Sequence, residues 1–422
     1  MIAPFELPLS REEFKGAMEL GHGRALLHAR KYGLAEYRDD FLTACLSNLV
    51  FDTQYEDSRT RWLGEFFDGA PPWLLLPLLD SYRRSEVLRD LSQMAELLGL
   101  MAERGSEEAK RALYEGFRKT DWGWLGEDEL LGIDGASALV WMAERLGSFS
   151  ALERYEIELV LSSYDALTGD GEGLKVLSGV SKESVRRAVK LATEPRPRAG
   201  GPKRKSKRLK DYTGKEIVEA AQGNELIGFP RMWGYKADPE QLAFVADALK
   251  STEEPRTLQS LLRCFQRNGL PEFWEGLLKL ANHEVQDIRW LTYWVLRHHQ
   301  HPSVRTLALG RLEENQTTEG EFKLFQSNYE KGDAKRILAA LRRLPTDDSC
   351  LYHWALGDVL EVALANPVKE NLALLMFVYE KTPCTNCRQK AVLEMMRRRD
   401  VPKWALDECR FDCDLELRGK QR

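Results

Sequence analysis

The spacing of apolar residues is the feature that most restricts what this chain can fold into. In nearly every segment, apolar residues recur three and four positions apart with charged residues between them, as in SEVLRDLSQMAELLGLMAERG at 85–105. That period matches one face of an α-helix. Glycine closes many of these runs, for example at Gly33, Gly105 and Gly147, where a helix takes a left-handed cap. Strand-like alternation is scarce, so the pattern predicts an all-α fold.

The second half of the chain consists of helical segments that follow one another at a short and regular pitch. Since short antiparallel helices cannot bury their apolar faces alone, we expect them to stack on their neighbours as an α-solenoid. The predicted helices span 239–250, 254–268, 271–281, 284–299, 301–312, 321–330, 333–344, 351–365, 368–380 and 387–399.

Two consecutive segments of this half resemble HEAT-type repeats. In HEVQDIRWLTYWVLRHHQHPSVRTLALGRLEEN, the triplets at 287–289 and 303–305 each place a polar residue, an aliphatic residue and an arginine at a helix start. Asp287 can interact with the exposed N–H groups of its helix, and the arginine can bridge to an adjacent repeat. Longer stretches, including GHGRALLHARKYGLAEYRDDFLTACLSN and TPCTNCRQKAVLEMM, are similar to a family of bacterial HEAT-repeat proteins of uncharacterised activity. The resemblance implies a helical-repeat fold from end to end and no particular activity.

Charge is distributed unevenly along the chain. Residues 1–193 carry a formal net charge of −10, residues 194–211 carry +6 and residues 212–422 carry −1. The basic stretch, EPRPRAGGPKRKSKRLKD, contains prolines and glycines that do not sustain a helix. We therefore predict an acidic N-terminal helical domain at 1–193, a flexible basic linker at 194–212 and a C-terminal HEAT-repeat solenoid at 213–422.

The basic linker has three interpretations. It could contact the phosphates of a nucleic acid, lie against the acidic half of its own chain, or serve as a solvated tether, which is the interpretation we prefer. Phosphate contacts would make binding steeply dependent on salt. The candidate phosphate-binding side chains are Arg196, Arg198, Lys203, Arg204, Lys205, Lys207, Arg208 and Lys210.

A second candidate binding surface is rich in arginine and tryptophan. Trp290 and Trp294 lie four residues apart and so share a helix face, with Arg289 and Arg297 beside them. Aromatic rings interleaved with arginine can stack on bases and clamp a nucleic acid. The interpretation we prefer is a core stripe of tryptophan beside a solvated basic edge.

Four of the seven cysteines form the strongest metal-ligand pattern. Cys384 and Cys387 make a CxxC pair, and Cys409 and Cys413 are spaced to lie on one face of a helix. Four such thiolates could converge on a structural Zn²⁺ ion. Buried, inert cysteines are the preferred interpretation, and a redox role is the third, because the βαβ context of redox CxxC motifs is missing. Apart from this zinc hypothesis, the sequence indicates no cofactor.

Two further motifs favour structure over chemistry. Residues 21–24, GHGR, could receive an anion at a helix start, but a helix–helix corner with a glycine at positive φ is the preferred interpretation. Residues 121–135, DWGWLGEDELLGIDG, are predicted to form an acidic irregular connection. A carboxylate pair there, such as Glu127 and Asp128, could act in acid–base catalysis, but no histidine accompanies it.

Location and function are the last properties that the sequence constrains. No apolar run approaches the roughly 20 residues that cross a bilayer, no secretory pattern opens the chain, and the unevenly spaced cysteines do not resemble a disulfide framework. We therefore expect a reduced, cytoplasmic protein without membrane contact. Since solenoids expose long concave surfaces and no catalytic constellation is evident, the leading hypothesis is a non-catalytic scaffold that binds a protein partner along its HEAT groove. The alternatives are a nucleic-acid-binding protein and a metal or redox sensor.

Overall fold

Helices account for nearly all of the secondary structure. The computed structural model describes residues 4–120, 123–149, 152–194, 211–223, 230–314 and 320–419. Within these residues the chain forms 25 α-helices and one two-stranded hairpin of β1 (Lys119–Thr120) and β2 (Gly123–Trp124), in which Lys119 opposes Trp124. The all-α prediction is confirmed.

The described residues divide into two compact units. The first unit contains residues 5–194 and 404–419, and the second contains Pro4 and residues 211–403. Along the chain, the change from one unit to the other falls between 194 and 211, where the sequence predicts the linker. Residues 404–419, which the sequence analysis assigned to the solenoid, pack instead with the N-terminal half.

The first unit is built from helices of at most 16 residues. They are α1 (Arg11–Leu20), α2 (Gly23–Tyr32), α3 (Arg38–Leu46), α4 (Thr60–Leu63), α5 (Pro72–Arg84), α6 (Leu88–Glu103), α7 (Glu107–Gly116), α8 (Glu127–Asp134), α9 (Ala136–Gly147), α10 (Arg154–Thr168), α11 (Glu172–Ser178), α12 (Glu183–Thr193), α24 (Lys403–Cys409), which begins at the unit boundary, and α25 (Leu415–Gly419). A 3₁₀ helix, Gly64–Phe66, follows α4.

The second unit continues the pattern of short helices, the longest having 17 residues. They are α13 (Gly214–Gln222), α14 (Pro230–Lys236), α15 (Pro239–Lys250), α16 (Pro255–Cys264), α17 (Gly276–Leu280), α18 (Gln286–Leu296), α19 (Pro302–Glu313), α20 (Asp333–Leu341), α21 (Ser349–Ala365), α22 (Leu372–Lys381) and α23 (Thr385–Arg397). Two 3₁₀ helices, Glu321–Phe325 and Lys369–Asn371, lie between them. None of the helices in the described ranges combines the length and the apolar character needed to span a membrane.

Local chemistry explains where many helices begin. Ser10 and Glu13 form a reciprocal capping box at the start of α1, and Thr213 and Glu216 form another at α13. Helices α15, α16 and α19 begin with proline, whose missing N–H costs no hydrogen bond in the first turn. The carboxylate of Glu254 accepts a 2.6 Å hydrogen bond from the Thr257 N–H and so caps α16.

Helices of the second unit pack mainly against elements that are close to them in the chain. Helix α16 packs against α13, α14, α15 and α18, and α22 packs against α20, α21 and α23. Arg305 of α19 donates a 2.6 Å hydrogen bond to Asp333, a fully buried residue at the start of α20. This arginine therefore joins α19 to α20.

One predicted helix of this unit is wrong. Residues 321–330 form the short 3₁₀ helix Glu321–Phe325 and then turn. The side chain of Asn328 donates to the carbonyl oxygens of His299 and Leu324 and accepts from the His301 N–H. Because an asparagine side chain that binds the backbone competes with helical hydrogen bonds, the segment ends early.

In the first unit, the C-terminal segment packs closely against the corner between α1 and α2. Gly21 takes a φ of +74° there, which confirms the predicted corner. At Gly23, a Cβ atom would overlap the carbonyl oxygen of Glu408 and lie 3.0 Å from the Asp412 nitrogen. Glycine is therefore required for the backbone of the C-terminal segment to approach the start of α2.

The anion at the start of α2 is a carboxylate of the same chain, that of Glu408. Glu408 is fully buried, and its Oε1 accepts hydrogen bonds from the Arg24 N–H at 3.1 Å and from Arg24 Nε at 2.5 Å. Its Oε2 accepts from Arg24 Nη2 at 2.8 Å, and His22 Nδ1 lies 3.5 Å from Oε1. Burial by itself would raise the pKa of Glu408, but the contacts with His22 and Arg24 hold that pKa well below its ordinary value.

We predict that Glu408→Gln destabilises the protein by about 3 kcal/mol at neutral pH, because it leaves the Arg24 guanidinium without its buried counter-charge. Urea unfolding measures this. Asp80→Asn is the matched control, because Asp80 pairs with Arg84 on the surface. This substitution should change stability by less than about 1 kcal/mol.

Because the folded-state pKa of Glu408 is depressed, the stability advantage of the wild type over Glu408→Gln persists above the ordinary glutamate pKa and should shrink as the pH falls below about 4. An advantage that is constant with pH would contradict this.

We also predict that Gly23→Ala costs about 1–3 kcal/mol, since the added methyl group forces the C-terminal segment away from α2. Gly16→Ala in α1 is the control, because a Cβ atom at Gly16 has no neighbour within 4 Å. It should stabilise the protein by up to about 1 kcal/mol through helix propensity. Equal effects of the two substitutions on the unfolding midpoint would show that close packing at Gly23 is unimportant.

Candidate interaction surface

The basic linker lies almost entirely outside the residues that the structure describes. All eight of its candidate side chains, Arg196, Arg198, Lys203, Arg204, Lys205, Lys207, Arg208 and Lys210, lie outside the described residues. The nucleic-acid hypothesis for this stretch therefore stays a prediction.

The two tryptophans of α18 differ in burial, because Trp290 is exposed and Trp294 is half-buried. The core side of α18 is formed by other residues, including Ile288, Leu291 and Tyr293, which are all buried. Trp290 keeps 37% of its surface exposed, and its ring meets that of Trp294 edge-on at 5.7 Å. The preferred interpretation of a tryptophan core stripe is therefore wrong for Trp290, because α18 turns a different side towards its neighbours.

Trp294 lies between two cations. The Arg297 guanidinium lies 4.3 Å from its ring centroid, and the Lys323 ammonium lies 4.7 Å from it. Lys323 is buried and forms an ion pair with the buried carboxylate of Asp358. Arg297 differs, because its Nε donates to His298 Nε2 at 3.2 Å and no carboxylate pairs with its guanidinium in the part of the chain that the structure describes. Burial lowers the pKa of Arg297, with Glu361 and Asp358 acting in the opposite direction.

A second cation–aromatic pair lies on the neighbouring helices. Arg267, just after α16, lies 5.0 Å from the ring centroid of Tyr235 on α14, and Tyr235 is 53% exposed. Helix α16 packs against both α14 and α18, so the two cation–aromatic pairs belong to three helices in contact. We call Tyr235, Arg267, Trp290, Trp294 and Arg297 the Arg–Trp face. The Tyr235–Arg267 pair has no sequence signal, because 31 residues separate its members.

Other polar residues near α18 have structural contacts. Arg289 donates to the carbonyl oxygens of His283 and Glu284, ahead of its own helix, at 2.7 and 2.9 Å. His299 Nε2 accepts from the Leu270 N–H, and His301 Nδ1 accepts from the Ser303 N–H. The candidate surface predicted from the sequence has four residues. Trp290, Trp294 and Arg297 lie together, whereas the Arg289 side chain contacts backbone carbonyl oxygens.

The predicted cysteine quartet is divided between the two units. Cys384 and Cys387 belong to the second unit, where their sulfur atoms lie close to the His353 ring, and Cys409 and Cys413 belong to the first unit. Cys384, Cys409 and Cys413 are buried and Cys387 is half-buried. Hydrogen bonding to Cys387 and His353 lowers the pKa of the Cys384 thiol, although burial opposes this change. The zinc site with four cysteines stays a prediction.

The acidic stretch at 121–135 is not irregular over its second half, where Glu127–Asp134 form α8. Residues 123–129 of this stretch line a cleft of about 180 Å³ in the first unit, together with Glu96 of α6. Glu127 is 7% exposed, and burial raises its pKa to about 7, as it does that of Glu129. The sequence could not show this, because burial of a carboxylate follows from packing and not from spacing.

Comparison of the chain with protein-family models, with curated proteins and with solved structures returned no match. The function therefore has to be inferred from the residues described above.

We predict that Glu127→Gln stabilises the protein by on the order of 2 kcal/mol at pH 8, because a carboxylate whose folded-state pKa is raised costs stability when it must ionise. The gain should fall as the pH drops through 7 and vanish near pH 4, where both folded and unfolded states are protonated. Urea unfolding over this pH range measures it. Asp128→Asn, an exposed neighbour, is the control and should change stability by less than about 0.5 kcal/mol. Destabilisation by Glu127→Gln at pH 8 would mean that Glu127 acts as a partnered anion.

Proposed function

We propose that this protein is a non-catalytic interaction scaffold, a cytoplasmic bacterial protein of the HEAT-repeat type whose second unit binds a protein partner through the Arg–Trp face. The observation that carries the proposal is the arrangement around Trp294, where Trp290 remains exposed and Arg297 lies over the indole ring without a carboxylate partner among the described residues. Tryptophan, tyrosine and arginine are the residues that most often dominate binding energy at protein interfaces.

The chemistry of the face favours a particular kind of protein segment. The exposed ring of Trp290 offers apolar area, and the Arg297 side chain, held in place by its ring contact, offers a planar fork of donors. A carboxylate that binds Arg297 would satisfy a cation that is already partly desolvated, as the lowered pKa of this residue indicates. We therefore propose an acidic partner segment with an apolar side chain next to its carboxylate.

The serial packing of short helices supports the HEAT-type part of the proposal. Helices α14, α16 and α18 are packed one against the next, and each of the three lies in or next to the Arg–Trp face. In helical-repeat proteins, surfaces that extend over successive repeats are the usual binding sites.

Nucleic acid is the competing class of partner, because arginine and aromatic rings also bind bases and phosphates. The net charge of −1 over residues 212–422 disfavours it for the second unit. Fluorescence anisotropy with DNA and RNA across a salt series decides between the two classes. A steep loss of affinity with salt, abolished when residues 195–210 are replaced by a neutral Gly/Ser linker, would establish the nucleic-acid alternative in place of the protein scaffold.

We predict that a Trp290→Ala, Arg297→Ala double variant loses at least about 30-fold in affinity for the protein partner, which corresponds to about 2 kcal/mol for an interface hot spot. The partner is identified by cross-linking to the intact chain in a lysate, and affinities are then measured by calorimetry with the purified components. Phe244→Ala is the control, because Phe244 on α15 is 50% exposed but lies outside the face. Equal affinities of the double variant and the wild type would refute the proposal.

A further inference from the structure

A compact group of two thiols and one imidazole, made of residues outside the Arg–Trp face, lies in the second unit. Cys384 is the N-cap residue of α23, Cys387 lies in the first turn of the same helix, and His353 comes from α21. Helices α21 and α23 pack against each other. The three side chains therefore meet because of helix packing, although 30 residues separate His353 from Cys384.

The backbone holds the CxxC pair in a defined turn. Cys384 has φ −88° and ψ 120°, the extended conformation of an N-cap residue, and its N–H donates to Thr382 Oγ1 at 3.3 Å. From there the chain enters α23, so that the two cysteines lie within one turn and both sulfurs can face the same side. A CxxC turn of this kind supplies two of the four ligands in many tetrahedral metal sites.

The one separation known within this group matches an edge of a tetrahedral ion site. One ligand atom from each residue lies within 4.8 Å of the other two, and Cys387 Sγ lies 3.4 Å from His353 Nε2. With metal–sulfur bonds of about 2.3 Å and metal–nitrogen bonds of about 2.0 Å, a tetrahedron has sulfur–nitrogen edges of about 3.5 Å and sulfur–sulfur edges of about 3.8 Å. The observed separation of Cys387 and His353 is close to the first value.

The donor set determines which ions would bind. Two sulfurs and one imidazole nitrogen are soft to intermediate ligands, which favour zinc and related thiophilic ions over calcium or magnesium. Cys384 is buried, whereas Cys387 and His353 are half-buried, so an ion could reach the site from solvent. Three protein ligands leave a fourth position of the tetrahedron for water or another ligand, the composition found in several zinc proteins.

We propose that His353, Cys384 and Cys387 form a Zn²⁺-binding site with an open fourth position. The site goes beyond the scaffold function and does not depend on it. It also differs from the sequence-based zinc hypothesis, because a histidine of α21 takes the place of the cysteine pair at 409 and 413. Binding would release the thiol protons and join α21 to the start of α23.

The test uses the full chain, reduced and freed of metal under inert gas. Zn²⁺ is titrated in competition with a chromophoric chelator, and Co²⁺ is titrated separately because its visible absorption reports tetrahedral coordination and its near-ultraviolet absorption reports thiolate ligands. We expect one ion per chain, with both spectral features present. Absence of binding, or a cobalt spectrum without thiolate absorption, would overturn the proposal.

Variants assign the ligands. We expect Cys384→Ser, Cys387→Ser and His353→Ala each to weaken Zn²⁺ binding by on the order of 100-fold or more, since loss of a direct ligand should cost at least as much as loss of an outer-shell contact. Cys350→Ser is the matched control, because Cys350 is an exposed cysteine of the same helix as His353. Circular dichroism and unfolding midpoints of the metal-free variants show that each is folded.

Three further outcomes would also overturn the proposal. If Cys409→Ser or Cys413→Ser weakens binding as much as Cys384→Ser does, the ligands are the four cysteines. If the metal-free chain binds no Zn²⁺ but forms a Cys384–Cys387 disulfide with glutathione disulfide, which is reduced to two glutathione thiols, the pair is a redox dithiol; the protein then loses the mass of two hydrogens and regains it with a reductant. Unchanged affinity in His353→Ala would likewise remove the histidine from the site.

Discussion

The structure depends on one constraint, which is that every helix in the described ranges is short and relies on its neighbours to bury its apolar face. The longest described helix has 17 residues, and most have fewer than 14. Each helix is stabilised mainly by the helices next to it in the chain, since short isolated helices are marginal in water. This dependence explains the serial contacts of the second unit, and it leaves successive helices with an outer side on which functional residues can accumulate.

In the first unit, residues 404–419 also pack against the short helices and stabilise them. The segment after Lys403 packs against α1 and α2, where Glu408 serves as the anion at the start of α2. Trp62 Nε1 donates to the Phe411 carbonyl oxygen at 2.9 Å, and Arg418 pairs with Glu65 at 2.5 Å. Charge and close packing act together here, because the buried carboxylate is tolerated only where Arg24 and His22 compensate it.

Both candidate sites of the second unit arise where neighbouring helices place side chains from distant parts of the sequence together. The Arg–Trp face combines residues of three packed helices, and the Cys–Cys–His group combines α21 with the start of α23. The two sites have different chemistry: the face offers apolar area and an arginine to a macromolecule, while the thiol–imidazole group has the size and donor atoms for a single ion. A scaffold can carry both, since the face uses residues of α14, α16 and α18 or next to them and the ion site uses α21 and α23.

The sequence by itself determined the all-α class, most helix positions of the second half, and the glycine corner at 21–24, because apolar period, capping residues and glycine conformation are local properties. It also indicated candidate binding residues, Trp290, Trp294 and Arg297, and candidate metal ligands, Cys384 and Cys387. Tertiary structure alone decided that α18 exposes Trp290, that Glu127 is buried, that residues 404–419 join the first unit, and that His353 lies beside the CxxC pair. Those outcomes depend on which helices pack together, and a contact between residues 30 or more positions apart leaves no periodic trace in the chain.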